Sequence, residues 1–127
     1  MCSHIWIEVG FGPKCVVPKD LQLHPASCCL HYAVQTFQDL IINTRADGKV
    51  VLFRPDVCID QLYDSAVRAT LPTFDKAELQ ICLQYLICSD WTYTKCIGTS
   101  DQPETSLLAR VSILGTEQPL GLAVSSN

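Results

Sequence analysis

The sequence predicts an α+β domain of two layers, a mainly antiparallel sheet with helices on one face. Three observations carry that prediction. Leu40–Thr44 and Val50–Phe53 are β-rich stretches, and Ala46-Asp47-Gly48-Lys49 between them holds the Asp-Gly pair of a tight hairpin turn. Two later segments set apolar residues at helical spacing: Ile59, Leu62, Tyr63, Ala66 and Val67, then Leu79, Cys82, Leu83, Leu86 and Ile87. A last β pattern follows over Ser106–Leu114. The order β, α, β-hairpin, α, α, β, with local antiparallel pairing, is that of an α+β domain.

Taken in chain order, His4 to Val9 alternates with Ile5, Ile7 and Val9 on one side, a weak strand signal. Residues 10–20, with Gly10, Gly12, Pro13 and Pro18, read as a loop. Ser27 is placed to cap a helix over residues 28–38, where Leu30, Val34 and Phe37 recur at helical spacing. The hairpin comes next. Arg54-Pro55 then opens a helix, because proline is favoured in a first turn whose N–H groups are unpaired anyway. Asp56 adds a carboxylate at the positive end of the dipole, and Leu71-Pro72 closes the helix. In Thr73-Phe74-Asp75-Lys76-Ala77-Glu78, Asp75 is the expected cap with Glu78 three residues on, a variant of the capping box. Residues 89–105 are polar loop material, and Gly115–Gly121 reads as a turn. In domain terms, 1–20 is an N-terminal strand and loop, 21–121 the folded domain, and 122–127 a tail.

Length and composition narrow the possible functions. A chain of 127 residues is one domain's worth. With 48% hydrophobic and 17% charged residues it favours burial over disorder, and its thin coat of charge suggests apolar surface meant to face a partner. A net charge of −4 with scattered Lys and Arg lacks the basic footprint that nucleic acid demands. The apolar runs fall far short of the roughly 20 residues of a membrane span, and the N-terminus has no basic, apolar leader pattern. The expectation is therefore a cytoplasmic protein with neither nucleic acid nor membrane as partner. The eight cysteines include one close pair, the adjacent Cys28-Cys29, which cannot easily present both sulfurs to one tetrahedral ion. They read as free thiols acting as small hydrophobes, and no metal site is expected.

Three separated stretches point further: Leu21-Gln-Leu-His-Pro-Ala-Ser27, Leu30-His-Tyr-Ala-Val34, and Ser65-Ala-Val-Arg-Ala-Thr-Leu-Pro-Thr-Phe-Asp-Lys-Ala-Glu-Leu79. In this order and spacing they closely resemble the N-terminal, smaller domain of the branched-chain amino-acid aminotransferases, pyridoxal-phosphate enzymes of the D-amino-acid-aminotransferase-like fold. The resemblance runs from about Leu21 to Gly121, with Phe11-Gly12 a fainter anchor before it. It implies transamination of leucine, isoleucine or valine with 2-oxoglutarate. It also implies that the cofactor-bearing lysine belongs to a second domain, and Lys14, Lys19, Lys49, Lys76 and Lys95 match none of its roles.

Site residues follow from the resemblance alone. Tyr32 and Phe37 match aromatic residues of the branched side-chain pocket, and Arg110 matches the arginine of the family's Tyr-x-Arg-Pro strand, where this chain reads Leu108-Ala109-Arg110-Val111. Two of them also have a plain alternative: Tyr32 as a core or hinge aromatic, Arg110 as a solvated strand residue. The arginine that binds the cofactor phosphate is replaced by Gln61, and Asp64 stands where another arginine is usual. A charge-assisted hydrogen bond contributes about 1.5–3 kcal/mol against roughly 1 for a neutral one, so this exchange weakens phosphate binding tenfold or more. Asp39 replaces a glycine expected at the end of the first helix, with strain if that position needs positive φ. His24 and His31 read as structural, and Asp60 with Asp64 as solvated helix acids.

The resulting expectation is a truncated, catalytically inactive relative that does not hold pyridoxal phosphate stably, with no catalytic residue of its own and its sheet lacking the family's last strand. Two alternatives stand beside it: the N-terminal part of an active transaminase, and a non-catalytic partner of a full-length relative or of a second copy.

Overall fold

A computed structural model describes residues 4–6, 14–16, 20–45, 47, 49–89 and 107–118. The elements are β1 (His4–Trp6), β2 (Lys14–Val16), α1 (Cys28–Tyr32), β3 (Gln35–Thr44), β4 (Val50–Leu52), α2 (Pro55–Arg68), α3 (Lys76–Ser89) and β5 (Leu107–Leu114). Strands β1 and β2 pair antiparallel as a separate two-stranded sheet. The main sheet has the order β4-β3-β5, antiparallel throughout, with β3 central. This is the α+β architecture that the sequence predicts.

Alternation along β3 divides the sheet into two faces. Leu40 and Ile42 point inward, 2% and 0% exposed, while Phe37 and Ile41 stand exposed on the other side. Leu40 packs with Ile59 of α2 and Leu83 of α3, and Leu52, Phe74, Ala109 and Val111 close around them. Leu62 and Ala66 continue the buried stripe of α2. Fully burying a leucine or isoleucine of this kind contributes about 1.5–3 kcal/mol.

Both long helices owe their ends to readable chemistry. Pro55 opens α2 as the sequence predicts. The helix closes in a Schellman motif: Thr70 N–H donates to Val67 O at 3.2 Å and Leu71 N–H to Ala66 O at 2.9 Å, with Thr70 left-handed at φ 55° and Leu71 buried. At the start of α3, Asp75 Oδ1 accepts from the N–H groups of Ala77 and Glu78 at 2.8 and 2.9 Å. The expected cap is in place.

Four expectations need correction. Ser27 precedes α1 but its side chain makes no capping bond; the hydroxyl donates back to His24 O at 2.7 Å. The helix predicted over 28–38 stops at Tyr32, where Ala33 turns left-handed at φ 53°, and Val34 and Phe37 lie in or beside β3. Asp39 consequently sits in an extended strand; the positive-φ residues other than glycine among those described are Ala33, Arg54 and Thr70. The loop predicted over 10–20 contains β2. The predicted strand residues 7–9, most of the loop at 89–105, and the tail 122–127 lie outside the described residues.

Gly115 ties the end of β5 to the start of α1. Its N–H donates to Val34 O at 2.9 Å, and its carbonyl accepts from Cys29 N–H at 3.0 Å. Cys28 N–H donates to Glu117 O at 2.8 Å, so the segment after β5 supplies the acceptors that a first helical turn lacks.

Candidate functional site

Phe37 and Arg110 come together on the outer face of the sheet. The register sets Asp39 of β3 directly opposite Arg110 of β5, two residues along from Phe37 on the same face. Arg110 Nε–H donates to Asp39 Oδ1 at 2.7 Å and Nη2–H to Oδ2 at 2.8 Å, a bidentate fork. The guanidinium carbon lies 4.8 Å from the Phe37 ring centroid, a cation–π distance. Ile41 and Leu108 form the next pair along, both about half exposed. The outcome is a carboxylate–guanidinium pair set among apolar side chains on an open surface.

The pair shifts both groups. The hydrogen bond from Arg110 holds the Asp39 carboxyl below the usual aspartate range; desolvation opposes this and the arginine's charge adds to it. The same hydrogen bond and the aspartate's charge raise Arg110 above its ordinary value. Both groups reach solvent, with side chains 33% and 56% exposed, so the energetic worth of the pair is screened.

The other predicted site residues are Tyr32 and Gln61. Tyr32 is exposed in the last turn of α1, its ring 6.3 Å from that of His31. Gln61 is exposed on α2, a helix packed against the opposite face of the sheet, and its carbonyl accepts from Ser65 Oγ at 2.7 Å. Asp64, also exposed, follows it on the same helix. The histidines make local bonds: His24 Nδ1 accepts from Ala26 N–H at 3.1 Å, and His31 Nε2 lies 2.7 Å from Pro25 O. Both bonds pin the turn before α1.

A second cluster includes Asp60, which the sequence reads as a solvated helix acid. Lys76 Nζ donates to Asp60 Oδ1 at 2.7 Å and sits 4.5 Å from the Tyr63 ring centroid, while Tyr63 meets Phe74 edge-on at 5.7 Å. The hydrogen bond to Asp60 raises the Lys76 pKa. Phe74 and Lys76 thus fasten the start of α3 to α2, a scaffold role. A link across sixteen residues between two helices left no signal in local spacing. The pairing of Asp39 with Arg110 is hidden for a similar reason: it is set by a register that local sequence does not reveal.

Cys28 and Cys29 are buried, Cys58 and Cys82 half-buried and Cys88 exposed, all as free thiols. Among the described residues no group of three or more His, Cys, Asp or Glu is placed to hold a metal ion. Among the same residues no helix is long and apolar enough to cross a membrane.

No protein-family model matches the chain. Curated proteins do. Over 117 residues it is 42% identical to the cytosolic branched-chain-amino-acid aminotransferase of Ovis aries, covering 91% of this chain and 29% of that protein. The mitochondrial enzyme of Mus musculus is 38% identical over 120 residues, covering 92% of this chain and 29% of the enzyme. The cytosolic enzyme of Saccharomyces cerevisiae is 33% identical over 117 residues, covering 91% and 30%. The chain therefore spans about three-tenths of the length of the curated relatives it matches. Identity sustained over nine-tenths of the chain, against vertebrate and yeast proteins alike, places it in the branched-chain amino-acid aminotransferase family, of which it carries N-terminal small-domain sequence.

Proposed function

We propose that this chain is a branched-chain aminotransferase-like small domain, located in the cytoplasm, that retains part of a substrate-side surface and does not transaminate by itself. The observation that carries the reading is the composition of α2. At the position where the resemblance implies a phosphate-binding arginine stands Gln61, exposed, with the exposed carboxylate of Asp64 three residues on. A dianion beside a neutral amide and a carboxylate gains little and is repelled. The amines of Lys49 and Lys76 pair with Asp47 and Asp60. Gln61 and Asp64 of α2 therefore make a poor fit to the phosphate of pyridoxal phosphate, the family's cofactor. On the substrate side, Phe37 and Arg110 form one group, and Tyr32 is assigned to the same surface by resemblance alone.

Two measurements on the purified 127-residue chain test this. Assayed with leucine, 2-oxoglutarate and added pyridoxal phosphate, it should give no turnover. Titration with pyridoxal phosphate should give weak, unsaturated spectral change, strengthened about tenfold in Gln61→Arg. Turnover that disappears in Tyr32→Ala would overturn the reading.

The coverage favours a second reading, in which these residues belong to a longer and active transaminase. Intact mass of the natural product decides between them. Under the first reading the partner is a full-length relative or a second copy. Size-exclusion chromatography with intact enzyme should then show a shifted elution and reduced activity at molar excess.

A further inference from the structure

The Arg110 guanidinium already holds a carboxylate. Asp39 offers both its oxygens to Nε–H and Nη2–H at 2.7 and 2.8 Å, the geometry in which arginine recognises any carboxylate. The fork is stacked at 4.8 Å on Phe37, and Ile41 and Leu108 form the adjoining pair on the same exposed face. An anion combining a carboxylate with an aliphatic side chain would find the same complement here: the fork for its head, and Phe37, Ile41 and Leu108 for its body.

We propose that Asp39 is a built-in occupant of a carboxylate site formed by Arg110 on Phe37, and that it keeps small aliphatic carboxylates off this face. The two residues are paired directly across neighbouring strands. Asp39 therefore meets Arg110 with its position already fixed, whereas a free anion gives up translational and rotational freedom to do so. An exposed carboxylate–guanidinium pair is weak between separate molecules, so a competitor in place by covalent connection prevails at millimolar ligand. A free carboxylate approaching the occupied fork also meets the negative charge of Asp39 at close range.

The choice of a branched aliphatic acid rests on the reading of Phe37 and Arg110 under Proposed function; the occupancy of the fork by Asp39 does not. The test follows the Arg110 Nε–H resonance in the full chain during titration with 4-methyl-2-oxopentanoate and, separately, acetate. In the natural chain the resonance should stay in place through tens of millimolar of either anion. Asp39→Ala and Asp39→Asn, the second keeping the side chain's shape, should shift saturably with a dissociation constant on the order of millimolar. Asp39→Ala combined with Arg110→Met should show no saturable shift elsewhere on this face. Equal binding by the natural chain, or no gain in either natively folded Asp39 variant, overturns the proposal. If acetate binds Asp39→Ala as tightly as the branched acid, the occupancy stands and the branched-chain reading of this surface fails.

Discussion

At Gly115 only a hydrogen fits between the end of β5 and the sulfur of Cys28: a Cβ there would lie 2.5 Å from Cys28 Sγ and 3.0 Å from Val34 O. Gly115→Ala should therefore destabilise the fold by about 1–3 kcal/mol, the usual cost of overpacking a closed site. In a Cys28→Ala background the sulfur is gone and the added cost should shrink, though Val34 O keeps part of it. Urea unfolding of the two pairs checks this, and an unchanged cost in the Cys28→Ala background would count against the packing argument.

The cap of α3 offers a second measurement. Asp75→Ala removes the acceptor for the N–H groups of Ala77 and Glu78 and should cost about 0.5–2 kcal/mol. Asp75→Asn, which keeps an acceptor oxygen, should lose much less. Equal losses would mean that charge rather than capping carries the effect.

Core and face should respond oppositely to the same truncation. Leu62, 1% exposed, should lose about 2–5 kcal/mol on replacement by alanine. Leu108 stands half exposed on the outer face, and its replacement should stay within about 0.5 kcal/mol. A large loss at Leu108 in dilute protein would show that its face is covered in solution.

Acid should loosen the sheet through Asp39. Its pKa is held below the unfolded value, so the contribution is present above about pH 3.9 and is lost as pH falls through the lower, folded value. Lys76 runs the other way: its pKa is raised, so its contribution is full below about pH 10.4 and is lost as pH rises through the higher, folded value. Asp39→Asn should flatten the acid limb of a stability–pH curve, and Lys76→Met the alkaline limb. High salt should reduce both differences, because the pairs are exposed.

The sequence disclosed the features whose chemistry is local. Asp47 beside Gly48 marks the hairpin, Pro55 the start of α2 and Asp75 the start of α3, and each acts within a few residues of itself. The segment after Ser27 misleads because Leu30, Val34 and Phe37 repeat at helical spacing although the chain turns extended at Gln35. What decides that segment is β5, whose Leu107–Leu114 pairs along Gln35–Ile42 from far down the chain. Ala33, the residue that ends α1 with a positive φ, carries no chemical mark of that role. Of the candidate site, resemblance supplied Phe37, Arg110, Tyr32 and Gln61. It gave no hint that Asp39 would hold Arg110, since only the register joins them.

The central position of β3 sets an order of arrival during synthesis. One neighbour, β4, follows within a few residues, while the other begins only at Leu107. At about 5–20 residues per second, one side of β3 waits on the order of several seconds with its backbone donors and acceptors unmatched. Throughout that interval the nascent chain presents a strand edge, flanked by Phe37 and Ile41, to any other extended polypeptide nearby. Slower elongation between α3 and β5 lengthens the exposure, so the yield of native chain should depend on translation speed there.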